Sequence, residues 1–464
     1  MAGIYIHIPF CNSKCAYCGF YSIPSLKRKG DFLDALRLEI FARRDYLEGE
    51  SIGTIYFGGG TPSLLSVEEI GEILQWITGV FTVNADAEIT LEANPDTLSL
   101  DYLKGLRAIG VNRLSIGIQS FFDNDLKYLS RRHDSRHALE CVSLAKEAGF
   151  ENISLDLIYG LPTSDAEQWH RNLELFFEMD VPHLSAYALT LEPNSILTKQ
   201  IEMGKVMPIN EEDALRDYEI LCRLAKEAGF LHYEISNFCK PGSHSRHNSS
   251  YWFGVPYLGL GPSAHSYNGT SRQWNVSSVG GYLEERRQKI EARSQESEAR
   301  SQQSEAGSQE SEAGSQESSS TPQGSVSERR PLRNPTRQCG GTGGGGGAAG
   351  SCGAAAGTGG GGDAGCVGAV GSDCGADAGD AGAAAEYLTA EQVYDEYVML
   401  RLRTMWGIDL NYIKREMGER FADHCERQAQ PLVEQGKLSQ THEILYLNDE
   451  QMLFADGIAE ALFW

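Results

Sequence analysis

Three cysteines at C-x3-C-x2-C spacing, Cys11, Cys15 and Cys18, follow directly on an apolar strand-like run from Ile4 to Ile8. No other feature restricts this chain so tightly. Thiolate sulfur is the usual ligand of iron–sulfur clusters, which commonly take four cysteines. This loop offers three of them within eight residues. A cubane cluster held by three thiolates keeps one iron open to an exogenous chelator. The competing use of such a set is structural zinc, which requires a fourth ligand; His7 lies on the preceding strand, at the wrong end of the loop. The other eight of the 11 cysteines form no constellation. Cys141, Cys222 and Cys425 sit singly in helical patterns and read as buried small apolar residues. Cys339, Cys352, Cys366 and Cys374 are scattered through a Gly/Ala tract, and Cys239 reads as a loop residue.

Over residues 1–210 short β-rich runs alternate with amphipathic helical patterns. Strands are predicted at Gly3–Ile8, Thr54–Phe57, Glu88–Glu92, Arg113–Ile118, Ile153–Ile158 and Leu184–Leu189. The helical patterns between them are Phe32–Tyr46, Ser66–Thr78, Leu100–Ile109, Ser135–Ala148 and Asp165–Met179. Ser66 with Glu69 forms a capping-box signature, and Gly110 and Gly149 stand where helices end. Six β/α repeats with short connections imply an α/β fold with a parallel sheet, a partial (β/α)6 barrel of TIM type. In such barrels chemistry gathers at the C-terminal ends of the strands. Those ends carry the cysteine loop, Gly58-Gly59-Gly60-Thr61-Pro62, Glu92-Ala93-Asn94-Pro95, Gln119-Ser120 and Tyr159-Gly160-Leu161-Pro162.

Residues 211–290 continue the α/β pattern as a barrel extension, with a helix at Glu211–Ala228, a strand at Tyr233–Ser236 and a loop from Ser243 to Trp252. Residues 291–386 change character. A Ser-Gln-x-Ser-Glu-Ala unit recurs every seven residues from Ser294, without apolar side chains to form a coiled-coil seam. An Arg/Pro stretch and a Gly/Ala tract follow, and such composition does not offset its ordering entropy. The expectation is a disordered low-complexity insertion, with a regulatory tail as the alternative. Residues 387–464 read as helices around a short hairpin, Lys437–Ser439 with Ile444–Leu447: a C-terminal helical, winged-helix-like domain.

A formal charge of −24 argues against nucleic-acid and anionic-membrane partners reached through a general basic surface. No stretch approaches the eighteen or so apolar residues that span a bilayer, so an integral membrane protein is not expected. The N-terminus runs straight into the first strand, with no room for a secretory signal. A cytoplasmic protein with reduced, metal-ligating cysteines is the expectation.

A lone glycine triplet is often only a tight turn, but beside a cysteine loop on the adjacent strand it offers backbone groups to an amino-acid moiety. The run Ile6-His7-Ile8-Pro9-Phe10-Cys11-Asn12-Ser13-Lys14-Cys15-Ala16-Tyr17-Cys18, with Gly59-Gly60-Thr61-Pro62, resembles the radical SAM proteins. More closely, the chain is similar to the group that contains oxygen-independent coproporphyrinogen III oxidase and the HemW-like heme chaperones. The resemblance covers Met1 to about Tyr282 and Tyr387 to the end. It implies a 4Fe-4S cluster on Cys11, Cys15 and Cys18, with S-adenosylmethionine (SAM) chelating the fourth iron. Carried over by position, Tyr5, Tyr17, Gly59, Gly60, Thr61, Glu92, Gln119, Arg131 and Asp156 would form the SAM pocket. Carboxylates there would accept ribose hydroxyls or the methionine ammonium, and Arg131 would pair the methionine carboxylate. The alternative for Glu92, Arg131 and Asp156 is an ion-pair network at the barrel mouth.

Within this group the oxidase pattern has a fourth cysteine two residues after the third, where this chain has Phe20, and an extension ahead of the cluster loop. His247-Asn248-Ser249-Ser250-Tyr251-Trp252 matches the H-N-x-x-Y-W motif of the HemW-like proteins. Imidazole is a common axial heme ligand, which makes His247 a heme-contact candidate; the alternative is a hydrogen-bonded loop histidine that orients Trp252. The resemblance thus implies a heme chaperone that carries the cluster and SAM, binds heme and passes it to membrane-associated or respiratory apoproteins. The alternative is coproporphyrinogen oxidation, in which SAM cleavage gives a radical that abstracts hydrogen from a propionate side chain.

Overall fold

Strand residues one apart do opposite work in this protein. On β1 (Ala2–Ile8), Ala2, Ile4, Ile6 and Ile8 are buried in the main hydrophobic core, while Tyr5 and His7 face the other side of the sheet. On β4 (Arg113–Gln119), Leu114, Ile116 and Ile118 join that core, and Ser115, Gly117 and Gln119 line an internal cavity. A period of two therefore sends apolar side chains outward to the helices and polar ones into the lumen. The computed structural model describes residues 1–193, 195–288 and 386–464. The expected disordered insertion at 291–386 lies, but for its last residue, outside the described residues.

The six expected strands are present as β1, β2 (Ile52–Gly59), β3 (Val83–Ala93), β4, β5 (Asn152–Tyr159) and β6 (His183–Ala188). They run parallel in sequence order within one sheet. Their covering helices are α1 (Lys29–Ala42), α2 (Val67–Thr78), α3 (Leu100–Ala108), a short α4 (Asp123–Tyr128), α5 (Ser135–Glu147) and α6 (Ala166–Glu178). Ser66 and Glu69 close a reciprocal capping box at the start of α2. Gly110 and Gly149 take φ of 100° and 89°, the left-handed conformation that ends α3 and α5 at little steric cost.

The sheet does not stop at six strands. After α7 (Ile196–Glu202) and α8 (Glu211–Glu227), β7 (Leu231–Glu234) and β8 (Asn237–Cys239) form an antiparallel hairpin, with β8 beside β6. The strand expected at Tyr233–Ser236 lies two residues earlier, and the Ile235-Ser236 connection between β7 and β8 is too short for a crossover, so the chain folds back on itself. It also places Cys239 in a buried strand rather than in a loop. The stretch around the H-N-x-x-Y-W motif, expected as a loop, is helical: α9 (Arg246–Trp252) is capped by the Ser245 side chain. Beyond it, β9 (Tyr257–Leu260) returns parallel to β1, and β10 (His265–Tyr267) and β11 (Ser271–Trp274) extend the sheet antiparallel.

The C-terminal segment enters this sheet directly, because β12 (Glu386–Tyr387) pairs with β11. It then forms its own core from α11 (Ala390–Leu402), α13 (Glu419–Glu434) and a three-stranded antiparallel sheet of β13 (Ile408–Asp409), β14 (Ser439–Thr441) and β15 (Ile444–Tyr446). Between β13 and α13 the chain makes α12 (Leu410–Tyr412) and a π turn at Ile413–Met417. The expected final helix, Asp449–Leu462, is shorter, with α14 at Ala455–Glu460 after a 3-10 turn at Met452–Phe454.

One buried carboxylate fastens the extension to the barrel. Glu39 on α1 is fully buried and accepts hydrogen bonds from Gly261 N–H at 2.8 Å, Asn275 Nδ2 at 2.8 Å and the Tyr282 hydroxyl at 2.7 Å, and it pairs with Arg286. Tyr282 and Arg286 belong to a helix over 279–288, here α10. Removing one partner of a buried pair strands the other charge. Glu39→Ala is expected to lower the unfolding free energy by about 3–5 kcal/mol, read from urea denaturation followed by circular dichroism.

Candidate cofactor site

The three cysteines occupy the loop after β1, and the loop is tied down by backbone bonds rather than by regular structure. Cys11 N–H donates to Ile23 O at 3.1 Å, and Cys18 N–H to Cys15 O at 3.3 Å. All three thiols are free and half-buried. Burial pushes the Cys18 thiol up to about 11. Two polar side chains address the sulfurs from neighbouring elements: the Thr61 hydroxyl donates to Cys11 Sγ at 3.4 Å, and Arg131 Nη1 to Cys15 Sγ at 3.5 Å. Donors aimed at sulfur suit thiolates or cluster sulfides, which are acceptors. Among the described residues no three His, Cys, Asp or Glu side chains converge on one ion. Three thiols with donors aimed at two of their sulfurs suit the cluster that the resemblance implies.

The glycine triplet also lets β2 approach the stem of the cysteine loop. Gly60 N–H donates to Ile8 O at 2.8 Å. A Cβ at Gly60 would lie 2.7 Å from Phe10 O and 2.9 Å from Ile8 O, both backbone atoms, and one at Gly59, whose φ is 104°, would lie 2.6 Å from the His7 ring. Both glycines thus lie close against the stem of the cysteine loop.

Beside the loop opens a cavity of about 410 Å³. Six of the expected residues line it: Tyr17, Cys18, Thr61, Glu92, Gln119 and Asp156. Tyr5, Gly59, Gly60 and Arg131 are not among its lining residues. Gly59 donates its N–H to Glu92 Oε2 at 3.2 Å, and Arg131 Nη2 donates to Asn94 Oδ1 and Gly117 O, both at 2.7 Å. Among the described residues Glu92, Arg131 and Asp156 make no ion pair with one another, so the expected alternative of a salt-bridge network is not what holds them. Gln119 adopts φ of 69° at an irregularity in the β4–β5 register, an uncommon conformation that turns the chain at the cavity rim. Ser115, Gly117 and Tyr187 line the cavity unforeseen. The alternation along β4 carried the signal for the first two, since they share a face with Gln119.

Electrostatics distinguish the two cavity acids. Burial pushes Glu92 up to about 7, opposed by hydrogen bonds from Tyr56 OH, 2.9 Å away, and Gly59 N–H. Burial pushes Asp156 up to about 6, opposed by Ser115 and Ser185 hydroxyls and by the charges of Arg113 and Arg131. Both carboxylates are poised to take up or release a proton near neutrality and to accept hydrogen bonds when ionised.

His247 is elsewhere. It lies on α9, 1% exposed, with Nδ1 2.8 Å from Thr54 Oγ1 and Nε2 2.9 Å from the Tyr251 hydroxyl. Its ring stacks on Tyr56 at 4.9 Å, and its N–H together with that of Arg246 bonds Glu88. Trp252 is also buried. Both imidazole nitrogens are engaged, and burial lowers the histidine to about 3, so the ring is neutral at physiological pH. The histidine is hydrogen-bonded, but on a helix rather than in a loop, and to Thr54 and Tyr251 rather than to Trp252.

A carboxyl raised from about 4.5 to about 7 binds its proton more tightly in the folded state. Stability falls as pH rises between those values, and an isosteric amide escapes the penalty. The Glu92→Gln amide can still accept from Gly59 N–H while facing the Tyr56 hydroxyl. Relative to wild type, Glu92→Gln is expected to be stabilised by about 2 kcal/mol at pH 8 and little changed at pH 4.5, measured by thermal denaturation without ligand.

Residues 5–176 match the Radical SAM superfamily model and residues 388–454 the HemN C-terminal domain. The chain is 36% identical over 286 residues to the heme chaperone HemW of Mycobacterium tuberculosis, covering 61% of this chain and 73% of that protein. It is 38% identical over 288 residues to the heme chaperone HemW of Bacillus subtilis, covering 61% and 76%. Among solved structures, coproporphyrinogen III oxidase (HemN) from Escherichia coli superposes with a TM-score of 0.70 at 20% identity, over 100% of this chain and 90% of that one. The last likeness speaks for the fold alone. Two domain models in order and matched relatives over about three quarters of their length make this chain a member of the HemW family, within the HemN-like group of the radical SAM superfamily.

Proposed function

We propose that the protein is a heme chaperone that holds a 4Fe-4S cluster and SAM at the barrel mouth, binds heme and transfers it to acceptor apoproteins. The observation that carries this reading is the extended match to two proteins named heme chaperone. Phe20 supports it: the side chain lines the cavity next to Cys18, at the position where the oxidase pattern has a further thiol.

In this reading Cys11, Cys15 and Cys18 would hold the cluster, and SAM would lie beside them in the cavity lined by Tyr17, Thr61, Glu92, Gln119 and Asp156. A bound cluster supplies one-electron chemistry. The protein's own residues do the rest. Glu92 and Asp156 accept hydrogen bonds from the ligand's hydroxyl or ammonium groups once ionised, and Thr61 and Arg131 steady the sulfurs of Cys11 and Cys15. Tyr17 and Phe20 wall the cavity on the loop side. We place the protein in the cytoplasm, where clustered thiols stay reduced, and its acceptors among membrane-associated respiratory proteins; among the described residues no helix is long and apolar enough to cross a membrane itself. We assign no iron-ligand role to His247, because ligation would cost the bond to Thr54 or to Tyr251.

Anaerobically reconstituted protein is expected to bind heme, to hand it to an apo-cytochrome, and to give no protoporphyrinogen from coproporphyrinogen with SAM and a reductant. Robust turnover would establish the oxidase instead. In the same preparation His247→Ala is expected to keep the absorption maximum of bound heme and to lower the melting temperature. A displaced maximum would make His247 a ligand.

A further inference from the structure

Arg113 begins β4 on the lumen face that it shares with Ser115, Gly117 and Gln119. It is 1% exposed, and Nε, Nη1 and Nη2 are all buried without a hydrogen-bond partner. Its register neighbours Thr90 and Asn152 are neutral, and each also has a buried oxygen without a partner. A guanidinium does not give up its proton in a protein. Burying one without a direct partner is costly unless opposite charge lies within its field.

The lumen supplies that charge one layer up the barrel. Ser115, two residues along β4, is the register partner of Glu92 and donates to Asp156 Oδ1 at 3.2 Å. Of the other basic groups nearby, Arg131 also favours ionised Asp156. Arg131 is already held by Asn94 and Gly117 O, and burial lowers His183 and His247 so that both are neutral. We propose that Arg113 is a positioning residue, a buried counter-charge that favours the ionised forms of Glu92 and Asp156 and so readies them to accept hydrogen bonds in the cavity. The groups facing these carboxyls are Tyr56 from β2, Ser115 and Arg113 from β4, Ser185 and Tyr187 from β6, and Arg131. Of these the two arginines alone are cations, and both favour the charged forms. The state of the carboxyls does not depend on what the cavity binds; the consequence for SAM rests on the function proposed above.

The test is an infrared pH titration of the carboxyl bands in cluster-reconstituted, SAM-free protein, with Glu92→Gln and Asp156→Asn assigning the bands. Arg113→Gln is expected to raise both midpoints by about one pH unit, and Arg113→Lys to stay close to wild type. Equal midpoints in folded Arg113→Gln and wild type overturn the proposal. So does an equal rise in the Gln and Lys variants, which would point to guanidinium packing rather than charge. If the Gln variant does not fold, the Lys variant decides, since retained charge must retain the wild-type midpoints. In equilibrium dialysis with SAM, Arg113→Gln is expected to bind about tenfold more weakly than wild type at pH 7 and to recover at pH 9. Wild type that fails to bind SAM at any pH contradicts the cofactor assignment, while the infrared midpoints still decide the role of Arg113.

Discussion

The barrel mouth depends on how closely the end of β2 lies against the stem of the cysteine loop. Gly60 donates to Ile8 O at 2.8 Å, and there is no room for a Cβ between it and the backbone of Ile8 and Phe10. Backbone does not yield as a flexible side chain does, so glycine is required for this approach. The contact sets where Thr61 emerges, and Thr61 donates to Cys11. Gly59, one residue earlier, orients Glu92 through its N–H. Cysteine loop, cavity carboxylate and sulfur-directed hydroxyl are thus fixed by one close strand contact.

A second constraint is the polarity of the lumen. A barrel interior filled with branched apolar side chains is a packed core. Here Glu92, Asp156, Arg113 and Arg131 occupy inward positions, and stability comes instead from the apolar outer face and its helices. Burial raises the proton affinity of the cavity acids against the pull of the two arginines, which costs stability at neutral pH and supplies acceptors where a ligand enters. His247 belongs to the same interior, joining α9 to the lumen through Thr54, Tyr56 and Tyr251.

Much of the scaffold was legible from local pattern. The alternation of Ile4, Ile6 and Ile8 with Tyr5 and His7, the Ser66–Glu69 capping box and the glycines at 110 and 149 each report a local preference that the fold respects. The β7–β8 hairpin was not legible, because whether a strand pairs parallel or antiparallel depends on the connection and not on its own residues. The α9 helix was missed for a related reason: its seven residues are too few to show a helical period, and Glu88, far away in sequence, bonds its first N–H groups. At the site, the residue types that line the cavity followed from the motifs. Arg113 did not, since a single basic residue at a strand start reads as an exposed end until the sheet closes over it.

The central claim is that three thiolates hold a cluster with one iron left for SAM. Mössbauer spectroscopy of iron-57-reconstituted protein, with and without SAM, tests it most directly. The account predicts four irons per chain in one cluster, with a quarter of the iron signal shifting when SAM is added. Four irons indifferent to SAM, or a preparation that takes up zinc in place of iron, would contradict it.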